Sequence, residues 1–350
     1  MKPVLSFVIV GALLVLPAAS TWGQSQDRVV TTSNQTYLGE VTTVTHNEVN
    51  VETRSGTRTV KVTELDKINF GGEPRELRLG RDAALRQAYA RAKEDFGKLQ
   101  PADVGEGLIR QDLEFYMAWS EAELGLSGGD KANGATMLMK FVEDHPNSYH
   151  YYNAVMTLGK LAAALGHHER AVEYYQKYSE APFPGHKLRA SLAIAGSLRV
   201  QGDIEKALKE CEKVSNIALD SPEVVKQKKI ANVVKAACLA ELGKPEEGLK
   251  IIEQVLKETS AEGSPTLYAF AYNAKGDCNR KLNKPQQALL DYLHTDLLFN
   301  QDSEAHAEAL FHLSTLWREV AKNTERSLRA TTILRSRYAG SRWAKNNSDE

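Results

Sequence analysis

One short pattern recurs along this chain at a spacing that few architectures allow. Leu165-Gly166-His167-His168-Glu169-Arg170-Ala171 is followed by Gln201-Gly202-Asp203-Ile204-Glu205-Lys206-Ala207. Leu242-Gly243-Lys244-Pro245-Glu246-Glu247-Gly248 and Leu282-Asn283-Lys284-Pro285-Gln286-Gln287-Ala288 come next. Each copy holds a turn residue, a short polar stretch and a small residue that opens an apolar helix. Gly128-Gly129-Asp130, with Ala135 in the small-residue position, is a weaker copy upstream. From Ala135 through Ala171, Ala207 and Gly248 to Ala288 the intervals are 36, 36, 41 and 40 residues. A period of this size means units that cannot bury their own apolar faces and must stack into a solenoid. Such a molecule is mainly a binding surface.

Ahead of the repeats the grammar changes. Between Arg28 and Phe70 the period is two: Val49, Val51 and Thr53 alternate with Asn50, Glu52 and Arg54, and Val60 and Val62 flank Lys61. Ser55-Gly56 supplies a turn, and Tyr37 to Thr45 reads as a further strand ended by His46-Asn47. Short β-branched runs joined by tight turns predict a meander of four or five strands. A segment of some 45 residues makes a small core, so this module is expected to lean on its neighbour. Gly71-Gly72 and Pro74 mark its end. The strand order, with Leu65, Ile68 and Phe70 closing it, resembles an SH3-like or Sm-like barrel. Beyond it Leu85, Ala88, Tyr89, Ala92 and Phe96 share one helical face, which predicts a first helix over Leu79 to Leu99, stopped by Gln100-Pro101.

The helical units carry a second regularity. Leu158-Gly159 and Ala162 precede Ala171 and Tyr175, with Pro182 as a stop; an earlier copy has Trp119, Ala135, Met139 and Pro146. Ala207 with Cys211, Gly248 with Ile252 and Ala288 with Tyr292 keep the small-x3-large spacing. Two antiparallel helices approach closely only where a small residue faces a large one. Over roughly Leu108 to Gly340 the chain resembles the tetratricopeptide repeat (TPR) family, of the exported bacterial type. A degenerate sixth unit begins near Ser327 and carries Ile333, Leu334 and Tyr338. Units of 40 and 41 residues exceed the 34 of the consensus, with extension around Ser260 to Pro265. The expected fold is mostly α: a right-handed α-solenoid of helix-turn-helix repeats over 79–340, preceded by a small β-barrel-like module over 28–72 and followed by a polar tail over 341–350.

The resemblance implies where a partner binds. First helices of TPR units line a concave groove, and the matching positions here are Asn153 and Lys160, then Arg189 and Arg199, then Asn273, Asp277 and Arg280. Such groups can grip peptide main chain and carboxylates. The family's C-terminal-carboxylate clamp is not reproduced by this set. The tyrosines Tyr149, Tyr151, Tyr152, Tyr174, Tyr175 and Tyr178 read as inter-helix core. No catalytic constellation emerges: HExxH, GxSxG and a phosphate-binding glycine loop are missing from the sequence. His167-His168-Glu169 sits in a turn, where adjacent side chains do not converge on one ion. The expectation is a non-enzymatic scaffold with no metal and no cofactor, serving a protein or peptide partner of the cell envelope. The alternative is a self-assembling, homo-oligomeric envelope protein, favoured if Ile333, Leu334 and Trp343 were exposed.

Both ends and the charge bound the setting. Lys2, then the uncharged apolar run Val4 to Leu16, then Pro17 and small residues read as an export signal over 1–23, with cleavage after Ser20 or Gly23. The alternative is an uncleaved anchor, but 13 apolar residues are short for a span, which needs about 20. The reading is a periplasmic or secreted protein with no membrane span once the signal is removed. With 44 basic and 45 acidic residues the whole chain has no electrostatic footprint for nucleic acid or anionic lipid. Cys211, Cys238 and Cys278 read as buried thiols, a Cys238–Cys278 bridge remaining open.

Overall fold

A computed structural model describes residues 26–99 and 104–346. The export signal over 1–23, the Gln100-Pro101 stop and the last four residues of the polar tail lie outside the described residues.

Five strands come first: β1 (Asp27–Thr31), β2 (Thr36–Val44), β3 (Glu48–Thr53), β4 (Gly56–Lys61) and β5 (Leu65–Asn69). All pair antiparallel in the order β4-β3-β2-β1-β5. β4 and β5 lie at opposite ends of this order: β1 to β4 form a meander and β5 returns to pair with β1. The alternation read from sequence sets the faces: Val49, Val51 and Val60 are buried while Glu52 and Lys61 are exposed. The sheet does lean on its neighbour. Val29, Val41, Ile68 and Phe70 form one core with Tyr149, and Leu108 and Ile109 pack against it. At the β2–β3 turn the His46 ring meets Tyr152 at 5.4 Å and Tyr151 at 5.9 Å.

Among the described residues, fourteen helices follow as seven consecutive pairs. These are α1 (Arg75–Leu85) with α2 (Tyr89–Phe96), α3 (Leu108–Leu126) with α4 (Lys131–Asp144), and α5 (Tyr151–Ala164) with α6 (His168–Ser179). Then come α7 (Pro184–Gln201) with α8 (Ile204–Ser215), α9 (Pro222–Glu241) with α10 (Pro245–Lys257), α11 (Pro265–Lys281) with α12 (Pro285–Leu298), and α13 (Ser303–Glu319) with α14 (Thr324–Arg337). A short α15 (Arg342–Asn346) closes the described chain. The single first helix expected over Leu79 to Leu99 is thus two helices. Gln87, at φ 62°, turns the chain left-handed between them without help from glycine or proline. The repeat turns behave as read: Gly166, Gly202 and Gly243 have φ of 87°, 86° and 77°, and Asn283 takes the same region at 55°.

Small-against-large packing explains the repeat. A Cβ on Gly159 would lie 2.3 Å from the Tyr175 ring, and one on Gly276 would lie 2.7 Å from the Tyr292 ring. α1–α2 repeats the device, with Gly80 against Phe96 at 2.3 Å. In each case the aromatic residue follows the glycine by 16 positions. In α3–α4 the small residue is Gly134, not Ala135: a Cβ on Gly134 would meet Ala122 Cα at 2.6 Å, and Leu138 rather than Met139 is buried. First helices of successive units pack on each other, α7 on α9, α9 on α11 and α11 on α13. They form the inner layer, with the second helices outside. The layer curls. Arg199 at the end of α7 reaches Glu308 on α13, and Lys131 Nζ comes within 3.8 Å of the place a side chain on Gly340 would take.

The cysteines are free and buried. Cys211 and Cys238 share one core cluster, and Cys278 lies against the Ala236 carbonyl, so no Cys238–Cys278 bridge forms. Tyr149, Tyr152, Tyr175 and Tyr178 are buried, as core tyrosines should be. Of the three residues named for self-assembly, Leu334 and Trp343 are buried and Ile333 is half-buried. Leu334 is buried under α14, and Trp343 packs on α13 with its indole N–H on Glu304.

Candidate functional site

Four inner helices bring charged and amide side chains to one place. Asn273 on α11 donates from Nδ2 to the Ala305 carbonyl (2.8 Å) and to Glu308 Oε2 (2.9 Å), both on α13. Glu308 Oε1 lies 3.4 Å from Arg199 Nη2, and Arg199 Nε lies 3.4 Å from Glu241 Oε1 on α9. One turn further along α11, Asp277 accepts from Tyr292 Oη at 2.7 Å. Arg280 donates to His312 Nδ1 at 3.1 Å. Residues from α7, α9, α11 and α13 thus converge across more than 100 positions of sequence.

The electrostatics follow from burial. Glu308, 5 % exposed, is pushed up to about 7 by burial against the pull of Arg199. His312 is pushed down to about 4, again by burial, with Asp277 opposing; it therefore serves as a neutral acceptor for Arg280. Arg199 stays charged, since Glu308, Asp277 and Glu241 outweigh its desolvation. Asn273 is 1 % exposed, and its Oδ1 has no hydrogen-bond donor among the described residues. A buried acceptor left open is costly unless something supplies an N–H or O–H.

Opposite pH dependences result for two neighbours. The Glu308 pKa near 7 lies above its ordinary 4.5. Its contribution to stability is therefore full below pH 4.5 and lost as pH rises through 7. His312 contributes fully above 6.5 and loses its contribution as pH falls through 4. Glu308→Gln should consequently gain on the parent protein by about 2–3 kcal/mol between pH 5 and pH 8, read from urea unfolding at each pH. A difference that stays constant across that range would contradict the buried carboxyl.

Four of the seven residues expected in the groove, Arg199, Asn273, Asp277 and Arg280, are therefore brought together. The other three are not. Asn153 and Lys160 are exposed on α5, and Arg189 is exposed with its Nε on the Gly185 carbonyl of its own helix. Sequence reasoning missed Glu308, Glu241 and His312, because their place depends on how far the array curls. Glu308 on a helix face otherwise filled by Ala305, Ala309 and His312 was the one available signal.

Elsewhere, a cavity of about 530 Å³ opens between α3 and the end of α4, with Gln111, Glu114, Lys140 and His145 in its wall. His145 is already engaged there, its Nε2 on Glu114 at 2.7 Å and its Nδ1 on Gln111 at 3.3 Å. Among the described residues no cluster of three metal-binding side chains occurs, and no helix is long and apolar enough to cross a membrane.

Two tetratricopeptide repeat family models match the chain, one over residues 112–148 and one over residues 153–258. No curated protein matches it in sequence. Among solved structures it is similar to a Rap protein complexed with competence and sporulation factor (TM-score 0.56, 13 % identity, 77 % of this chain and 74 % of that one). It is also similar to NprR in complex with its cognate peptide NprX (TM-score 0.52, 15 % identity, 76 % and 80 %). A third similar structure is a tetratricopeptide repeat protein from Parabacteroides merdae (TM-score 0.54, 12 % identity, 77 % and 96 %). At these identities the likeness is one of fold: a helical-repeat solenoid, here with a five-stranded sheet before it.

Proposed function

We propose that this chain is a non-enzymatic scaffold whose inner helical layer grips a peptide, or an extended segment of a protein partner, around Asn273. The observation that carries the reading is the open Asn273 Oδ1, set among Arg199, Asp277, Arg280 and Glu308 on the inner layer. Both Nδ2 protons of Asn273 are taken by Ala305 and Glu308, which leaves Oδ1 as a fixed acceptor for a peptide N–H. The surrounding acids and arginines supply direction for charged side chains. One protein of similar fold was solved with its cognate peptide and another with competence and sporulation factor, which agrees with this use of the shape. The signal-like first 23 residues lead us to place the protein outside the cytoplasmic membrane, with a partner in the cell envelope. N-terminal sequencing of protein recovered from envelope and medium tests that part: a start at Thr21 or Gln24 supports it, and a start at Met1 opposes it.

Peptides selected from a displayed library against the described chain test the groove. Asn273→Ala is expected to weaken the selected peptides by about tenfold, the worth of one lost hydrogen bond. Lys160→Glu with Arg189→Glu should leave them within about threefold, since neither residue joins the cluster. Peptides indifferent to Asn273→Ala, in a variant with unchanged helicity and melting, would move binding away from the inner layer.

A further inference from the structure

Near-neutrality of the whole chain conceals a strong local charge. Residues 318–345 hold eight basic against two acidic side chains, while the rest of the chain holds 36 against 43. Lys322 and the four arginines of α14 (Arg326, Arg329, Arg335 and Arg337) are all exposed, and the helix buries Ser327, Ala330 and Leu334 on its other side. Arg326 lies over the Trp317 ring at 4.6 Å, and Arg337 lies over Tyr338 at 5.4 Å. Both rings are half-buried. Between Arg326 and Arg329 stands Leu328, 65 % exposed.

Leu328 has company. The four most exposed large apolar side chains among the described residues are Leu297 (68 %), Leu328 (65 %), Leu298 (59 %) and Leu290 (58 %). All four belong to α12 and α14, the outer helices of the last two units. Outer helices of a curled array face away from its interior. A peptide needs a groove to bury its side chains, and neither of the two described cavities lies on these helices. A partner negative at its surface and apolar just beneath matches both kinds of group, the arginines of α14 and the exposed leucines of α12 and α14. Guanidinium groups pair with phosphate oxygens, leucines enter the acyl boundary, and Trp317 and Tyr338 have the amphipathic rings suited to the interface.

We propose that the outer face of α12 and α14 docks this protein on an anionic lipid surface. The inference is independent of the peptide-binding reading. Vesicles of phosphatidylglycerol mixed with phosphatidylcholine, co-sedimented with the full chain lacking residues 1–23, provide the test. Binding is expected to the mixed vesicles and not to pure phosphatidylcholine, and to fall sharply between 0.05 and about 0.5 M salt. Each basic side chain near such a surface contributes about fivefold. Arg326→Glu, Arg329→Glu and Arg337→Glu together should therefore lower the partition coefficient at least about a hundredfold. Leu328→Ser with Leu297→Ser should lower it roughly tenfold or more at unchanged charge. Lys250→Glu with Lys257→Glu on α10 removes as much charge as a two-arginine change, and should leave binding within about threefold. Equal binding to both vesicle types, an equal loss from the α10 pair, or retention on heparin without vesicle binding would each overturn the proposal.

Discussion

Arg81→Met is expected to lower the unfolding free energy by about 3–5 kcal/mol, the largest effect of any single polar substitution in this protein. Arg81 is fully buried and holds the sheet to the helices. Its Nη1 donates to Asn69 Oδ1 at the end of β5 (3.0 Å) and to Glu73 Oε1 (3.2 Å), while Nε reaches Asp112 Oδ2 on α3 at 2.8 Å. Asp112 also accepts from Tyr149 Oη and lies 2.9 Å from His150 Nε2. Burial works against the ionised forms of both partners. The opposite charge wins, keeping the Asp112 pKa below its ordinary value and the Arg81 pKa above. Methionine fills much of the volume but strands two carboxylates in the interior. Urea unfolding should show the loss, and the melting temperature should fall by roughly 10 °C. Arg81→Lys keeps the charge without the planar fork, and should recover only part of it. A loss under about 1 kcal/mol for methionine would mean that water reaches the node.

Gly159→Val is the second large effect, at about 3 kcal/mol or more. Its Cβ would fall 2.3 Å from Tyr175 Cε1, and no rotamer of a ring packed between helices clears that distance. Any gain in helix propensity over glycine, under about 1 kcal/mol, cannot offset it. Tyr175→Ala alone should cost about 3–5 kcal/mol by leaving a cavity. The double variant is the informative one, because valine then occupies space the ring has left. Its cost should fall below the sum of the single costs by about 2 kcal/mol. Additive costs would show that the glycine is there for the backbone rather than for the ring.

Much of the array could be read before the structure because its rule is local. A turn residue, a small residue and a large one four positions on recur within one helix and its loop, and packing then follows. Where the rule is ambiguous the reading slipped. Gly134 with Leu138 and Ala135 with Met139 both satisfy it, and only the position of Ala122 on the facing helix decides between them. The α1–α2 turn left no mark, since Arg86-Gln87-Ala88 contains no customary breaker and the apolar period runs straight through it. Strand alternation was legible for the same reason as the repeat: one face of the sheet is buried. Whether its ends meet is not a property of any one strand.

The site divides along the same line. Asn273, Asp277 and Arg280 share one helix, so their spacing alone places them on neighbouring turns. Arg199 joins them only because the array curls enough for α7 to approach α13. Asn153 and Lys160 were carried over from the family pattern and stand apart, since α5 lies outside the α7–α13 layer that curls around Asn273. The partners of Glu308 could not be read beforehand for the reason that makes it important: they belong to the superhelix, not to a unit.

The contact of Arg199 with Glu308 also changes what kind of object the chain is thermodynamically. An open array behaves as a row of dominoes, each unit coupled only to its neighbours, so its ends can fray while the middle stands. Here α7 is tied to α13, and Lys131 reaches the turn at Gly340. A disturbance entering at the last unit has a route to the middle that bypasses the two intervening helix pairs. The row is partly a hoop, and its members stand or fall together.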